Sequence, residues 1–234
     1  MKINEEEVRE LYESVESVWP SNDKWHLYSK NQIESYLHAQ KWSADEYVLN
    51  AGSGGNSYQL SVNMHHRDLA KNKIAIFDDY SVGSIETLPQ NDATFDSIIC
   101  VGSVINYCDA VSVISEFARV IKSNGVLYLE FESSMGYEHR KTHEYGAAAA
   151  IVKLRYFDEL WSQWIYNPEY IQSILSSHGF KILDDYRFHI LSAYAYSNCQ
   201  NENKAAKYAA CDKILRHFPC KKHANNVLFK CIKL

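Results

Sequence analysis

The chain has 234 residues, of which 46% are hydrophobic and 23% charged, a globular composition that excludes a disordered or fibrous protein. This length predicts one domain, or one domain with a large insertion. The formal net charge of −5 argues against a general nucleic-acid binder, because neutralising phosphates requires a basic face. The charge is uneven: residues 201–234 carry a net +6 and the first 200 residues −11. We interpret the basic end as a solvated helix face.

The cellular setting can be predicted from three features. No uninterrupted apolar run approaches the length of about 18 residues that predicts a membrane span. The first ten residues lack the apolar centre of a secretory signal. The six cysteines are too few for a disulfide framework in a chain of this length. We therefore expect a cytoplasmic protein with reduced thiols and no membrane partner.

In chain order, two helices are expected over residues 2–40, the second carrying Trp25, Tyr28 and Tyr36. Short apolar runs then alternate with helical segments, a pattern typical of a parallel α/β sheet. The expected strands are 47–52, 64–69, 80–85, 95–102, 125–131, 180–191 and 225–234. The expected later helices are 109–125, 168–179 and 202–217.

Residues 135–167 lie outside this alternation and hold seven aromatic residues. A structureless loop of that length is unusual in a compact domain. The alanine-rich stretch 146–154 predicts that the segment is partly helical, and we interpret 135–167 as a cover over the sheet edge. We find no repeat and no Pro- or Ser-rich linker, so residues 1–234 are treated as one domain.

The turns after the strands are the first place to look for a binding site, because ligands of open parallel sheets bind outside the carboxyl ends of the strands. Gly52, Gly54 and Gly55 follow the first strand, where bare backbone can approach a ligand closely. A second glycine-bearing turn at Gly102 follows the fourth strand. A dinucleotide site would need a third glycine where Ser57 stands, so that interpretation is disfavoured.

The order of these pieces resembles the class I S-adenosylmethionine-dependent methyltransferases, of the small-molecule type related to ubiquinone and menaquinone biosynthesis enzymes. The stretches that carry the resemblance are VLNAGSGGN, IETLPQNDATFDSIICVGSVINYC and ISEFARVIKSNGVLYLEFES. The resemblance implies a three-layer Rossmann-like α/β sandwich with a mostly parallel seven-stranded sheet and an antiparallel last strand. It also implies S-adenosylmethionine as cofactor, S-adenosylhomocysteine as product, and a small-molecule acceptor. The absence of a phosphate-binding lysine motif or basic groove disfavours nucleic acid as the acceptor, and tRNA stays open as an alternative.

The resemblance further implies which residues bind the cofactor. They are Asn50, Ala51, Gly52, Ser53, Gly54, Asp68, Ser84, Ile85, Val101, Gly102 and Ser103, with Tyr28 from the second helix. Asn50 and Ser84 depart from the family pattern, in which an acid is usual at both positions. Asp68 is preferred as the acid that accepts the ribose hydroxyls, and Asp78 is the alternative if KIAIF is the second strand.

Two residues are candidates for removing a proton from the acceptor. His189 comes first, because imidazole titrates near neutral pH, and Glu132 at the end of the fifth strand comes second. Residues 1–42 are expected to form a helical lid over the donor, and the aromatic insert 135–167 to cover a flat or partly apolar acceptor. Cys211, His217, Cys220 and His223 lack the spacing of a common zinc site, so no metal is expected.

The predicted function is therefore S-adenosylmethionine-dependent methyl transfer to an oxygen, nitrogen or carbon atom of a small molecule. Two alternatives stay open. One is a non-catalytic module that binds S-adenosylmethionine or S-adenosylhomocysteine, suggested by Asn50 and Ser84. The other is a nicotinamide-dependent oxidoreductase. The acceptor and the oligomeric state, a homodimer included, are not determined by these patterns.

Overall fold

The computed structural model describes residues 3–156 and 159–234. The helices in this part of the chain are α1 (Glu5–Ser14), α2 (Lys24–His38), α3 (Lys71–Ile74), α4 (Ala110–Val120), α5 (Pro168–Ser177), α6 (Leu191–Cys199), α7 (Glu202–Ala205) and α8 (Asp212–Leu215). The strands are β1 (Tyr47–Ala51), β2 (Asn63–Asp68), β3 (Tyr80–Val82), β4 (Phe95–Cys100), β5 (Ile121–Glu132), β6 (Ala149–Tyr156), β7 (Glu159–Tyr166), β8 (Phe180–Phe188) and β9 (Asn226–Lys233). Short 3₁₀ helices cover Val104–Tyr107, Tyr137–His139, Ala206–Cys211 and Pro219–His223.

Seven of these strands form one sheet in the order β3-β2-β1-β4-β5-β9-β8. The pairs from β3 to β5 are all parallel, whereas β9 runs antiparallel to both β5 and β8. The predicted mostly parallel seven-stranded sheet with an antiparallel last strand is confirmed. Because β1 lies between β2 and β4, the strand order reverses at the carboxyl end of β1.

Both faces of the sheet are covered, as a three-layer sandwich requires. Successive side chains on a strand point to opposite faces. Leu49 packs into the cluster that contains α4 and α5, whereas its neighbour Val48 packs with Ile33 and Leu37 of α2. These strands are therefore apolar at consecutive positions, which is why they appear in the sequence as short continuous runs.

The segment 135–167 contains a short 3₁₀ helix at Tyr137–His139, but the helix expected from its alanine-rich stretch 146–154 does not form. Residues 149–156 form β6, which pairs antiparallel with β7 in a separate two-stranded sheet. Alanine is compatible with either structure, and the pairing partner lies on a strand that the local pattern did not reveal. The hairpin contacts the main sheet at the last residue of β7, Tyr166, which forms a β-bridge with Ser133 directly after β5.

Two predicted helices differ from those observed. The helix expected over 109–125 ends at Val120, because Ile121 already pairs with Phe95 of β4. The helix expected over 202–217 is divided into α7, a 3₁₀ helix and α8. No helix formed by the described residues is long and apolar enough to cross a membrane.

Candidate functional site

A cavity lies at the carboxyl ends of the strands, at the point where the strand order reverses. Its volume is about 180 Å³, which is far more than one or two bound waters need. The turns after β1, β2, β3 and β4, the end of β5 and parts of the N-terminal segment and the β6–β7 hairpin form its wall. This is the position at which open α/β sheets bind ligands.

One end of the cavity is formed by the glycine turn after β1. Gly52 has a φ of 73°, and a Cβ atom there would lie 2.3 Å from Val104 Cγ1. Gly54 has a φ of 54°, and its Cβ would lie 3.1 Å from Val18. Ser53 also lines the cavity, and its buried Oγ has no hydrogen-bond partner among the described residues. The wall of the cavity at this turn therefore consists of glycine backbone and one serine hydroxyl that lacks a hydrogen-bond partner among the described residues.

Asp68 lies beside this turn at the end of β2. Its Oδ2 accepts a hydrogen bond from the Gly54 N–H at 2.8 Å and its Oδ1 accepts one from the Ala70 N–H at 2.9 Å. A carboxylate oxygen has two acceptor positions, so both oxygens can still accept from a ligand hydroxyl. Burial raises the pKa of Asp68 above its ordinary value, although these N–H donors oppose the change.

Asp78, the alternative acid, is exposed and is not among the cavity residues. Residues 71–74 form α3, so KIAIF is not the second strand, and that alternative is wrong. The structure therefore brings Asp68, and not Asp78, to the cavity.

The remaining predicted turns also reach the cavity. Ser84 and Ile85 line it after β3, and the Ser84 Oγ donates a hydrogen bond to Glu5 Oε1 at 3.1 Å, which adds a carboxylate from α1. Val101 lines the cavity as well. It precedes the turn after β4, in which two backbone N–H groups donate hydrogen bonds to one buried carboxylate. Gly102 and Ser103 donate to Glu130 Oε2 at 2.9 and 2.7 Å.

Three predicted cofactor residues do not line the cavity. Asn50 is buried and donates its side-chain hydrogen bond to the Asn56 carbonyl at 2.7 Å. Ala51 is buried beneath the turn. The Tyr28 hydroxyl donates to the Ala209 carbonyl at 2.8 Å, because Tyr28 lies on a different face of α2 from the cavity-lining Ser29.

The general-base role predicted for His189 is contradicted by its surroundings. Its side chain is fully buried, its ring stacks on Trp25 with centroids 3.7 Å apart, and it is not on the cavity wall. Its Nε2 lies 3.0 Å from Ser29 Oγ and its Nδ1 lies 2.7 Å from Ser192 Oγ. Burial lowers the pKa of His189 to about 3. Both nitrogens have protein partners, so we assign His189 a structural role behind Trp25.

Glu132, the second candidate, does line the cavity, at the acceptor end, which is defined by its neighbours Gln163 of β7 and Glu138. Gln163 of β7 donates a hydrogen bond from its Nε2 to Glu132 Oε2 at 2.6 Å. Burial raises the pKa of Glu132 well above its ordinary value, and the nearby charges of Glu138 and Glu130 raise it further. A carboxylate with such a pKa can accept and release a proton near neutral pH.

Other ionisable groups at this end come from distant parts of the chain. Glu138 lies on a 3₁₀ helix, Glu202 at the start of α7, and His26 in the first turn of α2. His26 Nδ1 lies 2.6 Å from Asp23 Oδ2. Burial alone would lower the pKa of His26, but the ion pair with Asp23 and the charge of Glu202 raise it. Burial raises the pKa of Glu202 to about 7.

These groups were not identified in the sequence. Glu138, Glu202, His26 and Asn225 reach one cavity from three helices and the turn before β9, and no spacing relates them. The aromatic content of 135–167 was the available signal, and Trp161 of this segment does line the cavity.

One group of side chains has the spacing of metal ligands, although no metal site was expected. Among the described residues, Asp23, His26 and Glu202 offer ligand atoms within 4.8 Å of one another. Two of these three already form an ion pair. The cysteines and histidines considered for zinc do not form such a group in this part of the chain; Cys211 is exposed and Cys220 half-buried.

Known proteins that are similar to this chain share its domain type and its fold. A family described as a methyltransferase domain matches residues 46–129, which run from the start of the sheet to the middle of β5. No curated protein sequence matches the chain.

Three solved structures have the same fold at low identity. The [4+2]-cyclase SpnF is 15% identical with a TM-score of 0.62, and the match covers 100% of this chain and 97% of that chain. Geranyl diphosphate C-methyltransferase of Streptomyces coelicolor A3(2) is 10% identical with a TM-score of 0.60 and 98% of both chains covered. The 1,6-didemethyltoxoflavin-N1-methyltransferase of Burkholderia thailandensis is 10% identical with a TM-score of 0.57, and 98% of this chain and 86% of that chain are covered.

At such identities the likeness to these structures concerns the fold alone. The family match adds the domain type, and it includes the glycine turn, Asp68 and the turn after β4. Residues 46–129 therefore match a methyltransferase domain, and the chain has the Rossmann-like fold of the class I S-adenosylmethionine-dependent methyltransferases.

Proposed function

We propose that the chain transfers the methyl group of S-adenosylmethionine to a nucleophilic atom of a small molecule. The observation that carries this proposal is a single cavity with two chemically different ends. One end has the glycine turn and Asp68, which suit a nucleoside. The other has Glu132, which suits proton removal from an acceptor.

At the nucleoside end, Asp68 accepts hydrogen bonds from the ribose hydroxyls while its own N–H partners hold it in place. Ser53 Oγ, which has no protein partner among the described residues, is available to the same ligand. The Glu5 carboxylate beside Ser84 offers an acceptor to an adenine amine. Asn50 does not contribute, because its side chain is used by the Asn56 carbonyl.

S-adenosylmethionine supplies an electrophilic methyl group on a positively charged sulfur. The chain has to hold the acceptor in line with that methyl group and exclude water, and such positioning supplies much of the rate acceleration. Glu132 takes the proton from an O–H or N–H acceptor. Gln163 keeps the Glu132 carboxylate oriented toward the cavity.

Residues 1–42 act in this proposal as a lid over the donor, and residues 135–167 as the cover over the acceptor. Trp19 supports the first assignment, because the side chain lies 3.3 Å from the position of a Cβ at Gly102. Gln163 and Trp161 support the second, since both lie on β7 and line the cavity.

A second candidate is a protein that binds the nucleoside without transferring a methyl group. It is favoured by the orientation of Asn50 away from the cavity and by the existence of a cyclase with this fold. The nicotinamide-dependent alternative has less support, because Ser57 stands in the third glycine position.

Thermal unfolding with S-adenosylmethionine, S-adenosylhomocysteine, NAD and NADP tests the cofactor. A ligand at about 100 times its dissociation constant adds roughly 2.7 kcal/mol to the free energy of unfolding. For a chain of this length the midpoint should rise by roughly 5–10 °C with the two sulfur nucleosides alone. A rise with NAD or NADP alone would contradict the proposal.

Transfer itself is tested with S-adenosylmethionine labelled in its methyl group and a panel of small-molecule acceptors. A labelled product supports the enzyme. Binding of S-adenosylhomocysteine with no labelled product across the panel would favour the second candidate.

A further inference from the structure

We propose that the methyl acceptor is a cation, an organic amine with an aromatic or apolar portion that enters the cavity protonated and binds between Glu132 and Glu202. This inference rests on the proposed function and names the class of acceptor. It follows from the charge balance of the cavity, the groups left without partners in its wall and the aromatic residues beside them.

Carboxylates outnumber basic groups in the cavity wall. The acids that line it are Glu5, Asp68, Glu130, Glu132, Glu138 and Glu202. Lys73 also lines it, but its Nζ donates to the carbonyls of Val15 and Glu16 near the glycine turn. Arginine is absent from the described lining. A buried carboxylate without a counter-charge takes up a proton more readily, as the raised pKa values of Glu132 and Glu202 indicate, and a cationic occupant would favour their charged forms instead.

The basic groups at the acceptor end are two histidines, and one of them, His26, also lies within 4.8 Å of Glu202. His26 pairs with Asp23, and His139 Nε2 lies 3.0 Å from Glu138 Oε1. Each histidine therefore has a carboxylate neighbour of its own. None of the ion pairs formed by the described residues joins Glu132 or Glu202 to a lysine or an arginine.

Asn225 gives an independent indication of a ligand at this end. It lines the cavity and is only 2% exposed, yet its Oδ1 accepts no hydrogen bond from any described residue. A buried amide oxygen without a donor is costly, and an ammonium group has up to three N–H donors to offer. An acceptor molecule without an N–H or O–H donor would leave this oxygen unsatisfied.

The walls at this end are aromatic. Trp25, Trp161 and Tyr196 all line the cavity. Aromatic faces attract cations and also pack against apolar groups. The combination of carboxylates, an unused amide oxygen and aromatic faces therefore suits an amine attached to an aromatic or apolar group.

The transfer balances with the groups present. Glu132 takes a proton from the bound ammonium ion, which frees the nitrogen lone pair. That lone pair forms the new N–C bond while the C–S bond breaks and its electron pair goes to sulfur. The products are a methylated ammonium ion, which keeps the positive charge, and the neutral thioether S-adenosylhomocysteine. No other reactant is needed.

Calorimetric titration of the protein saturated with S-adenosylhomocysteine tests the inference. The probes are phenethylamine, phenethyl alcohol and hydrocinnamate, which share one aromatic group and differ in charge. We expect the amine to bind about tenfold more tightly than the alcohol, since a hydrogen bond to a charged group has about that effect. The anion should not bind measurably.

Single-residue variants show which carboxylates cause the preference for the amine over the alcohol. Glu132→Gln and Glu202→Gln should each remove most of the preference for the amine over the alcohol, and either one suffices if the other fails to fold. Glu169→Gln removes one negative charge from an exposed position on α5, outside the cavity wall, and should leave the preference unchanged.

Equal binding of the amine and the alcohol, tighter binding of hydrocinnamate, or binding of none of the three would overturn the inference while leaving the proposed function intact. An unchanged preference in both cavity variants would overturn it as well. Failure of the unaltered protein to bind S-adenosylhomocysteine would instead overturn the proposed function, and the inference with it.

Discussion

Asp68 accepts a hydrogen bond from the glycine turn and also lines the cavity, where the proposed function has it bind the ribose hydroxyls. In Asp68→Asn one carboxylate oxygen becomes an NH₂ group, which opposes a backbone N–H and cannot accept from a ribose hydroxyl. We expect the dissociation constant for S-adenosylhomocysteine to rise about tenfold or more in calorimetric titration.

Asp78→Asn is the matched control, because it makes the same change at an exposed position. Its affinity for S-adenosylhomocysteine should equal that of the unaltered protein. A weaker affinity in Asp78→Asn than in Asp68→Asn would contradict the assignment of the ribose acid.

Glu132 should make the free energy of unfolding depend on pH, because its pKa in the folded state is raised above the ordinary value of 4.5. The folded state then binds the proton more tightly than the unfolded state does. The resulting stabilisation is complete at low pH and is lost as the pH rises above about 4.5, by at most about 1.4 kcal/mol per pH unit.

Glu132→Gln keeps an oxygen that can accept from Gln163 and removes the titration. Denaturant unfolding at several pH values should therefore show this variant gaining stability relative to the unaltered protein as the pH rises. Glu169→Gln should show no such trend, and a difference independent of pH in Glu132→Gln would mean that burial does not shift Glu132.

At the scale of elements, the segment between α1 and α2 covers the turns after β1 and β4 through Val18 and Trp19. If this segment is a lid, Trp19→Ala should raise the dissociation constant for S-adenosylhomocysteine about tenfold, since a large aromatic contact is lost. Trp42→Ala removes a tryptophan outside the cavity wall and should lower stability without changing that affinity. Equal affinity in the Trp19 variant would leave this segment without a role in donor binding.

The β6–β7 hairpin should act on the acceptor and not on the donor. Trp161→Ala is expected to weaken phenethylamine binding severalfold, through the loss of one aromatic wall, with no change for S-adenosylhomocysteine. Trp164→Ala is the control on the same strand, since Trp164 is not among the residues of this cavity. Loss of donor affinity in Trp161→Ala would contradict the division of the cavity into two ends.

At the scale of the whole molecule, a buried imidazole makes folding sensitive to acid. His66 is 2% exposed and stacks on Phe77, and burial lowers its pKa to about 4. The unfolded chain therefore binds a proton that the folded chain does not, between about pH 6.5 and 4. Its contribution to the free energy of unfolding falls by up to about 1.4 kcal/mol per pH unit as the pH drops through this window.

Denaturant unfolding across this pH range checks the effect in His66→Gln, which should lose less stability on acidification than the unaltered protein. His143→Gln, at an exposed position, should follow the unaltered protein. Parallel curves for all three proteins would show that His66 is not buried neutral in solution.

The positions of the main strands, the parallel α/β pattern and the two glycine turns could be predicted because each depends on local patterns, whereas the seven-stranded sheet with its antiparallel last strand was implied by the family resemblance. Buried strands require consecutive apolar residues, and Gly52 and Gly102 adopt positive φ at the strand ends. The turns were expected side by side, since the carboxyl ends of neighbouring parallel strands meet at one edge of the sheet.

The hairpin and the role of His189 could not be predicted in the same way. Residues 149–156 become a strand only because a partner with matching register follows. His189 occupies a strand end, as expected, but its φ of 54° and its stacking on Trp25 turn it away from the cavity. Such contacts between distant residues leave no periodic signal in the sequence.

The sequence by itself determined the fold class and the position of the glycine turns, because hydrophobic periodicity and glycine turns report local burial and backbone geometry. The preference for Asp68 as the ribose acid came from the family resemblance together with the spacing of the strands. Only the tertiary structure decided the acceptor end. There Glu132, Glu138, Glu202 and His26 converge from elements far apart in the chain. Their electrostatic coupling depends on distances in space, which chain folding sets and sequence spacing does not.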